Sequence, residues 1–140
     1  MPLTPLRTKE RLNKIQNKPD LACRYAIEVM KHRWPEAEPG IMRDAYLACL
    51  YSTHVIKDRW PAAEPYIMQD NTWAYQYAID VIKDRWPEAE PGIMKSSYYA
   101  CLYAIHVLKD RWPEAEPFIK QQKQNWEKYK KFLTASKGNK

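Results

Sequence analysis

Glycine is scarce in this sequence, with three residues in 140. Turns that need a positive φ angle usually contain glycine, so few turns of that kind are expected. The chain has only three cysteines, an odd number without a Cys-x-x-Cys spacing. This count argues against a disulfide framework and against a zinc site. We therefore expect an intracellular protein with reduced thiols and no bound metal.

Long apolar runs are missing as well. No stretch of about 18 apolar residues occurs, so no membrane-spanning helix is expected. The first residues lack the apolar segment of a signal peptide. The sequence has no glycine-rich phosphate loop, no metal-ligand motif and no nucleophile accompanied by a base. These absences predict a cytoplasmic protein that is not an enzyme, needs no cofactor and does not bind a membrane.

The net charge of +6 is unevenly distributed. Residues 1–18 carry five basic side chains and one acidic side chain, for a charge of +4, and residues 120–140 carry seven and one, for +6. The remaining segment, 19–119, holds 11 basic and 15 acidic side chains, for −4. A mildly acidic body has no general attraction for phosphate backbones, whereas basic ends attract them.

What the sequence has in abundance is repetition. A seven-residue string beginning Arg-Trp-Pro occurs four times, always 26 residues apart, at 33–39, 59–65, 85–91 and 111–117. Eight of the 11 prolines belong to these strings. A fixed period of this length is the sequence signature of a repeat protein.

Each repeat predicts a long helix followed by a short one. Apolar residues before each string recur at three- and four-residue spacings, which is typical of an amphipathic helix. Asp44, Asp70 and Ser96 are placed to cap such helices, and Pro19 falls at a first helical position. Because proline ends a helix at the preceding residues, the long helices are predicted at 19–33, 45–59, 71–85 and 97–111. A short helix through Ile41 and its equivalents follows.

The period and the helices together predict an all-α fold. We expect a right-handed α-solenoid of four two-helix repeats over residues 19–119. Residues 1–18 would form a basic capping half-repeat, and residues 120–140 a basic capping helix and tail. Terminal repeats need a polar outer face because they have a neighbour on one side only.

The string at residues 81–91, Val-Ile-Lys-Asp-Arg-Trp-Pro-Glu-Ala-Glu-Pro, resembles a repeat of uncharacterised proteins of tailed bacteriophages. The resemblance covers residues 19–119. It implies a phage-encoded viral protein that acts in the cytoplasm of a bacterial host, and it implies no particular activity.

The constant residues of the string have two interpretations. The tryptophans can pack between successive repeats, or they can form stacking platforms for single-stranded nucleic acid. Stacked repeats can bring the arginine and glutamate rows side by side as an ion-pair ladder, or the arginines can bind phosphate. The regular position of each tryptophan and the acidic body favour packing and the ladder.

A second period of 52 residues lies within the first. Odd repeats are polar at four positions where even repeats carry aromatic residues, leucine or histidine. The histidines alternate with acids in the row Glu28, His54, Asp80, His106, which could serve acid–base chemistry or simply form hydrogen bonds. Cys23, Cys49 and Cys101 share one helical position with Tyr75, and burial is favoured there over metal binding.

The even repeats predict a binding surface. Three residues four apart share one edge of each even helix, away from the apolar stripe, and an aromatic residue of the short helix accompanies them. Apolar residues that the core does not need suggest a contact with a protein partner of unknown identity, such as a host factor that the chain would adapt or inhibit. The predicted partner-binding residues are Tyr46, Leu50, His54, Tyr66, Tyr98, Leu102, His106 and Phe118. A different packing of alternate repeats, which would bury these residues, is the competing interpretation.

The basic ends support an alternative function. Nucleic acid could bind there through Arg7, Lys9, Arg11, Lys128, Lys130 and Lys131. A capping helix with its aromatic residues turned inward also accounts for the C-terminal segment. Self-association through the even-repeat surfaces is a further possibility, and an enzyme using the histidine–acid row ranks third.

Overall fold

The structure is a computed structural model that describes residues 9–138. Every regular element in this range is helical, which confirms the predicted all-α class. The chain divides into two compact units, the first ending at Trp73 and the second beginning at Ala74. No helix among the described residues combines the length and the apolar character needed to cross a membrane.

Four repeats, each with a long helix, a π turn and a short helix, follow the N-terminal helix α1 (Lys9–Gln16). The third and fourth repeats add a 3₁₀ turn before the short helix, at Pro87–Ala89 and Pro113–Ala115. The long helices are α2 (Pro19–Tyr25), α4 (Ala45–Tyr51), α6 (Asn71–Tyr77) and α8 (Ser97–Tyr103). Each continues into a wider π turn, at Ala26–Met30, Ser52–Ile56, Ala78–Ile82 and Ala104–Leu108. The short helices are α3 (Glu38–Ile41), α5 (Glu64–Ile67), α7 (Glu90–Ile93) and α9 (Glu116–Ile119). The C-terminal helix α10 spans Lys123–Gly138.

The predicted helix starts are confirmed. The side chain of Asp44 accepts a hydrogen bond from the backbone N–H of Leu47 at 3.0 Å, and Ser96 accepts one from Tyr99 at 3.3 Å. Asp70 caps α6 in the same way, and Pro19 begins α2. These caps satisfy backbone donors that would otherwise have no partner at a helix start.

The predicted helix ends are wrong by three residues. The first long helix ends at Met30 rather than at residue 33, because Lys31 adopts the left-handed conformation with φ of 59°. The backbone N–H of Lys31 bonds to the carbonyl of Ala26 at 2.8 Å, five residues back. Lysines end the other three long helices with the same geometry, at Lys57, Lys83 and Lys109. Glycine normally marks such a turn, so its absence hid the helix end from the sequence pattern.

Replacing Lys57 by glycine should stabilise the protein. A non-glycine residue in the left-handed region has a steric cost of about 1–2 kcal/mol. Glycine avoids this cost but loses more backbone entropy on folding, which offsets part of the gain. We expect the free energy of unfolding to rise by about 0.5–1 kcal/mol, measured by urea denaturation. The control Lys128→Gly, in the interior of α10, should change stability in the opposite direction by a similar amount. A Lys57→Gly variant less stable than the parent would show that this lysine makes a stabilising contact of its own.

The apolar stripes of the long helices supply much of the core in each unit. In the first unit α2 packs against α1, α3 and α4, and Ala22, Ala26 and Ala48 have no exposed surface. In the second unit α8 packs against α7, α9 and α10. The small alanines allow neighbouring helices to approach closely, and one isoleucine from each short helix fills the remaining space: Ile41, Ile67, Ile93 and Ile119.

The C-terminal segment, for which a capping helix is predicted, forms α10 and packs against α8 and α9 within the second unit. Tyr129 of α10 is fully buried, and Trp126 and Leu133 are partly buried. Asn125 donates a hydrogen bond to Ser97 at 3.0 Å, and its carbonyl accepts a weak one from the thiol of Cys101 at 3.4 Å. Polar contacts thus fix α10 against α8.

Candidate functional site

The tryptophan corners are tied together by a hydrogen-bonded cluster. Arg33 donates two hydrogen bonds to the carboxylate of Glu38, at 2.8 and 2.7 Å. Tyr51, from the next repeat, donates its hydroxyl proton to the same carboxylate at 2.7 Å. The Tyr51 oxygen also accepts a hydrogen bond from the backbone N–H of Trp34 at 2.7 Å. One tyrosine therefore satisfies two buried groups of the preceding corner.

The second unit contains this cluster twice. Tyr103 donates to Glu90 at 2.7 Å, and Tyr129 donates to Glu116 at the same distance. Each hydroxyl accepts a hydrogen bond at 2.8 Å from the backbone N–H of a tryptophan, Trp86 or Trp112. The arginine–glutamate pairs recur in all four corners, always within one corner rather than between stacked repeats. The predicted arginine and glutamate residues do pair, but each pair stays within its own corner, and the link to the next repeat is a tyrosine.

The four tryptophans of the corners are buried. Trp34, Trp60, Trp86 and Trp112 keep at most 5% of their surface exposed. Each ring lies against a tyrosine of its own long helix, with centroids 5.0–5.9 Å apart. Rings in such positions cannot serve as stacking platforms for nucleic acid. The corners therefore belong to the scaffold.

The carboxylate of Glu38 remains ionised in this cluster. Burial raises its pKa. The hydrogen bonds from Arg33 and Tyr51 and the arginine charge lower the pKa by more than burial raises it, so the net pKa lies below the ordinary value. Because the folded-state pKa is depressed, the stability that this group contributes is present above the unfolded-state pKa. It is lost as the pH falls through the folded-state pKa.

The first unit contains an open groove of about 570 Å³ between its two long helices. This size is within the range of ligand sites in proteins. One wall comes from α2 and its π turn, the other from α4 and its π turn. The lining residues are Asp20, Cys23, Arg24, Ile27, Glu28, Tyr46, Leu47, Leu50 and His54.

The groove unites the positions that vary with the 52-residue period. Tyr46, Leu50 and His54, all predicted for partner binding, line its α4 wall, and the polar counterparts from the first repeat line the α2 wall. Tyr46 is 46% exposed, and its ring lies 4.8 Å from that of Trp73. This aromatic contact holds the tyrosine in place while leaving one side of it accessible.

The floor of the groove consists of two small or flexible buried side chains. Cys23 and Leu47 are 1% and 6% exposed and both line the groove. The equivalent residues of the second unit are Tyr75 and Tyr99, whose rings lie 5.7 Å apart. Bulky rings in mutual contact thus stand where the first unit has a thiol and a leucine. The predicted site did not include Cys23 or Leu47, although the exchange of cysteine for Tyr75 was visible in the sequence.

The predicted binding residues of the second unit are accessible to different degrees. Tyr98 is 52% exposed and meets Tyr99 edge-on at 4.9 Å. Leu102 is partly exposed, and His106 is exposed and lines a small polar cleft with Lys83 and Asp84. The two residues from short helices, Tyr66 and Phe118, are partly buried. Tyr66 is not among the residues that line the groove of the first unit.

The histidine–acid row is only partly assembled in the first unit. His54 and Glu28 line the same groove, but no hydrogen bond joins them in the described part of the chain. Glu28 pairs with Arg24 instead, at 3.2 Å. Within residues 9–138, no three acidic, histidine or cysteine side chains are grouped to hold a metal ion.

The three cysteines are free, and their predicted burial is confirmed. Burial raises the pKa of the Cys23 thiol to about 12, and the charges of Asp20 and Asp44 add to this effect. Its Sγ also lies 3.7 Å from the carbonyl oxygen of Leu47. Since the thiolate is the reactive form, this thiol is inert at neutral pH.

Cys23 should therefore resist alkylation in the folded protein. At about pH 8, iodoacetamide should modify Cys23 at least about 100-fold more slowly than it modifies an exposed thiol, because both access and thiolate formation are suppressed. Peptide mass spectrometry after timed quenching measures the rate, with the urea-unfolded protein as the reference. Equal rates in the folded and unfolded protein would show that the groove floor opens readily.

The residues of the nucleic-acid alternative are exposed where the structure describes them. Lys9 and Arg11 lie on α1, and Lys128, Lys130 and Lys131 lie on α10, whereas Arg7 falls outside the described residues. The Lys130 ammonium pairs with Glu127 at 3.2 Å and lies 5.8 Å from the ring centroid of Trp126. Lys128 and Lys131 keep exposed charges on this helix.

Comparison with models of protein families, with curated proteins and with solved structures gives no match.

Proposed function

We propose that this chain is a non-enzymatic repeat protein that binds a protein partner through the variable faces of its even repeats. The observation that carries the proposal is the groove of the first unit. It brings Tyr46, whose ring is half exposed, together with Leu50 and His54 in one accessible concavity. Exposed aromatic and aliphatic side chains around a concave surface are typical of interfaces.

The proposal includes a solenoid of four stacked repeats spanning residues 19–119. It is supported by the long helix, π turn and short helix that recur in all four repeats, and by the recurring tyrosine link between adjacent repeats inside each unit. A solenoid would offer an extended face for a partner. The resemblance of the repeat to phage sequences supports an adaptor or inhibitor of a host factor, acting in the host cytoplasm.

Parallel affinity capture tests this function. Wild-type protein and the Tyr46→Ala/Tyr98→Ala variant serve as baits in lysate of the host, and the variant's fold is checked by circular dichroism. We expect a partner that the wild type retains and the double variant loses. Tyr46→Phe/Tyr98→Phe, which keeps the rings, is the matched control and should retain the partner. A partner held equally by all three baits would place binding elsewhere. Failure to capture any specific partner would contradict the proposal.

Nucleic-acid binding is the second candidate, and the exposed lysines of α10 favour it. Deleting residues 120–140 is a poor test, because it also removes the buried Tyr129 and its bonds to Glu116 and Trp112. Lys128→Gln/Lys131→Gln keeps the helix and removes two charges. If this function holds, affinity for single-stranded nucleic acid should fall steeply with salt, and the variant should show a shallower salt dependence.

A further inference from the structure

The floor of the groove in the first unit carries smaller side chains than the equivalent positions of the second unit, and helix packing does not require this difference. The second unit fills the equivalent floor positions with Tyr75 and Tyr99, so bulky residues are compatible with this backbone. In the first unit Cys23 and Leu47 leave the floor open. The open floor therefore distinguishes two otherwise similar repeat pairs.

The charges around the groove are unbalanced. Arg24 is paired with Glu28 at 3.2 Å, which leaves Asp20 as the uncompensated charge of the lining. In the part of the chain that the structure describes, no hydrogen bond or ion pair engages the Asp20 carboxylate. Asp20 and Asp44 both act electrostatically on the thiol at the floor. The groove therefore attracts a positive group.

The walls suit a long cationic side chain. The aliphatic stem of lysine or arginine packs along apolar surface while its charge seeks a carboxylate or an aromatic face. Leu47, Leu50 and Ile27 supply apolar surface, and Tyr46 supplies an accessible ring. From residue 20 to residue 28 the α2 wall is about 12 Å long at 1.5 Å per residue, enough for several peptide side chains.

We infer that this groove binds a peptide segment of the partner protein that presents a lysine or arginine next to apolar side chains, with the cation at Asp20 and Tyr46. The inference rests on the proposed function and names the chemistry of the partner. The apolar side chains enter over Cys23 and Leu47. The complementary segment could also come from a second copy of this chain, whose α10 is basic, and the test below separates the two.

A displayed library of random dodecapeptides tests the inference. Peptides are selected on the wild type and then measured individually on Cys23→Tyr/Leu47→Tyr, which reproduces the filled floor of the second unit. We expect selected peptides to carry Lys or Arg beside apolar residues and to lose at least about tenfold in affinity on the filled variant. Circular dichroism and thermal unfolding confirm that this variant folds.

Charge variants keep the inference testable if the filled variant does not fold. Asp20 is exposed, so Asp20→Lys should leave the fold intact. We expect this variant to weaken the selected peptides by more than about tenfold, and Asp20→Asn by less. The matched charge reversal Glu88→Lys, at an exposed acidic residue of the second unit, should leave their affinity unchanged.

Several outcomes would overturn the inference. Peptides that bind the filled variant and Asp20→Lys as tightly as the wild type occupy another surface, which leaves the proposed function standing and removes the groove from it. Selection of acidic or uncharged sequences, or of none, contradicts the stated chemistry. A sedimentation experiment that shows dimers of the wild type but monomers of Asp20→Lys would assign the groove to a second copy of the chain instead.

Discussion

Replacing Tyr51 by phenylalanine should lower the free energy of unfolding by about 2–4 kcal/mol, because two buried partners lose their hydrogen bonds. The Glu38 carboxylate loses a donor at 2.7 Å, and the backbone N–H of Trp34 loses its acceptor at 2.7 Å. The phenylalanine ring keeps the packing against Trp60, so the loss measures the hydroxyl alone. Urea denaturation monitored by tryptophan fluorescence gives the value.

The same chemical change at the surface supplies the control. Tyr46→Phe removes a hydroxyl from a half-exposed side chain and should change stability by less than about 0.5 kcal/mol. If both variants lose equally little, the hydroxyl of Tyr51 does not hold the corner. If Tyr103→Phe behaves like Tyr51→Phe, the corner clusters of the two units are equivalent.

Stability should fall steeply at alkaline pH. Burial raises the pKa of Tyr51 and Tyr103 well above the ordinary value, and it raises the pKa of Tyr129 to about 12. Their folded-state pKa values exceed the unfolded value of about 10, so the stability that they contribute is fully present below about pH 10. It is lost as the pH rises toward the folded-state values, at up to about 1.4 kcal/mol per pH unit for each tyrosine.

Comparing the stability of the wild type with that of Tyr51→Phe isolates the contribution of tyrosine ionisation. The thiols of Cys23 and Cys101 also have raised pKa values. Folding stability therefore begins to decline at about pH 8.5 for a reason unrelated to tyrosine. Unfolding curves of the wild type and of Tyr51→Phe should converge above about pH 10, because the variant lacks one titrating phenol. Parallel curves through this range would contradict the role given to the buried hydroxyl.

The local features of the fold could be predicted from the sequence. The 26-residue period, the amphipathic spacing and the caps at Asp44, Asp70 and Ser96 depend on neighbouring residues, so a single sequence contains them. The helix ends could not be predicted in this way. Lysine at a left-handed position is an exception to the glycine rule, and only its repetition in four copies identifies it.

The long-range features were harder to predict. Tyr51 is 13 residues from Glu38 and 17 from Trp34, and no local pattern links them. The apolar stripe identified this tyrosine as a core residue, but its hydroxyl has a separate structural role. Sequence alone predicted ion pairs between repeats, whereas the pairs lie within each corner because five residues of the turn bring Arg33 back onto Glu38.

The candidate site was predicted in part. The 52-residue rhythm identified Tyr46, Leu50 and His54, and the structure places them in one groove. This period did not identify the opposite wall or the floor of the groove, because the sequence does not show which residues of neighbouring repeats face each other. Tyr66 and Phe118 were grouped with the site by their period alone, and their partial burial fits a packing role equally well.

We propose a division of roles in which the constant corners stabilise the fold and the variable faces bind a partner. Urea denaturation of Tyr46→Ala/Tyr98→Ala beside Tyr51→Ala tests it most directly. The double variant removes two half-exposed rings and should lose about 1–2 kcal/mol in total. Tyr51→Ala removes one fully buried ring and should lose about 3–5 kcal/mol. A double variant as unstable as Tyr51→Ala would show that the variable tyrosines are part of the core, and would contradict their assignment to a binding surface.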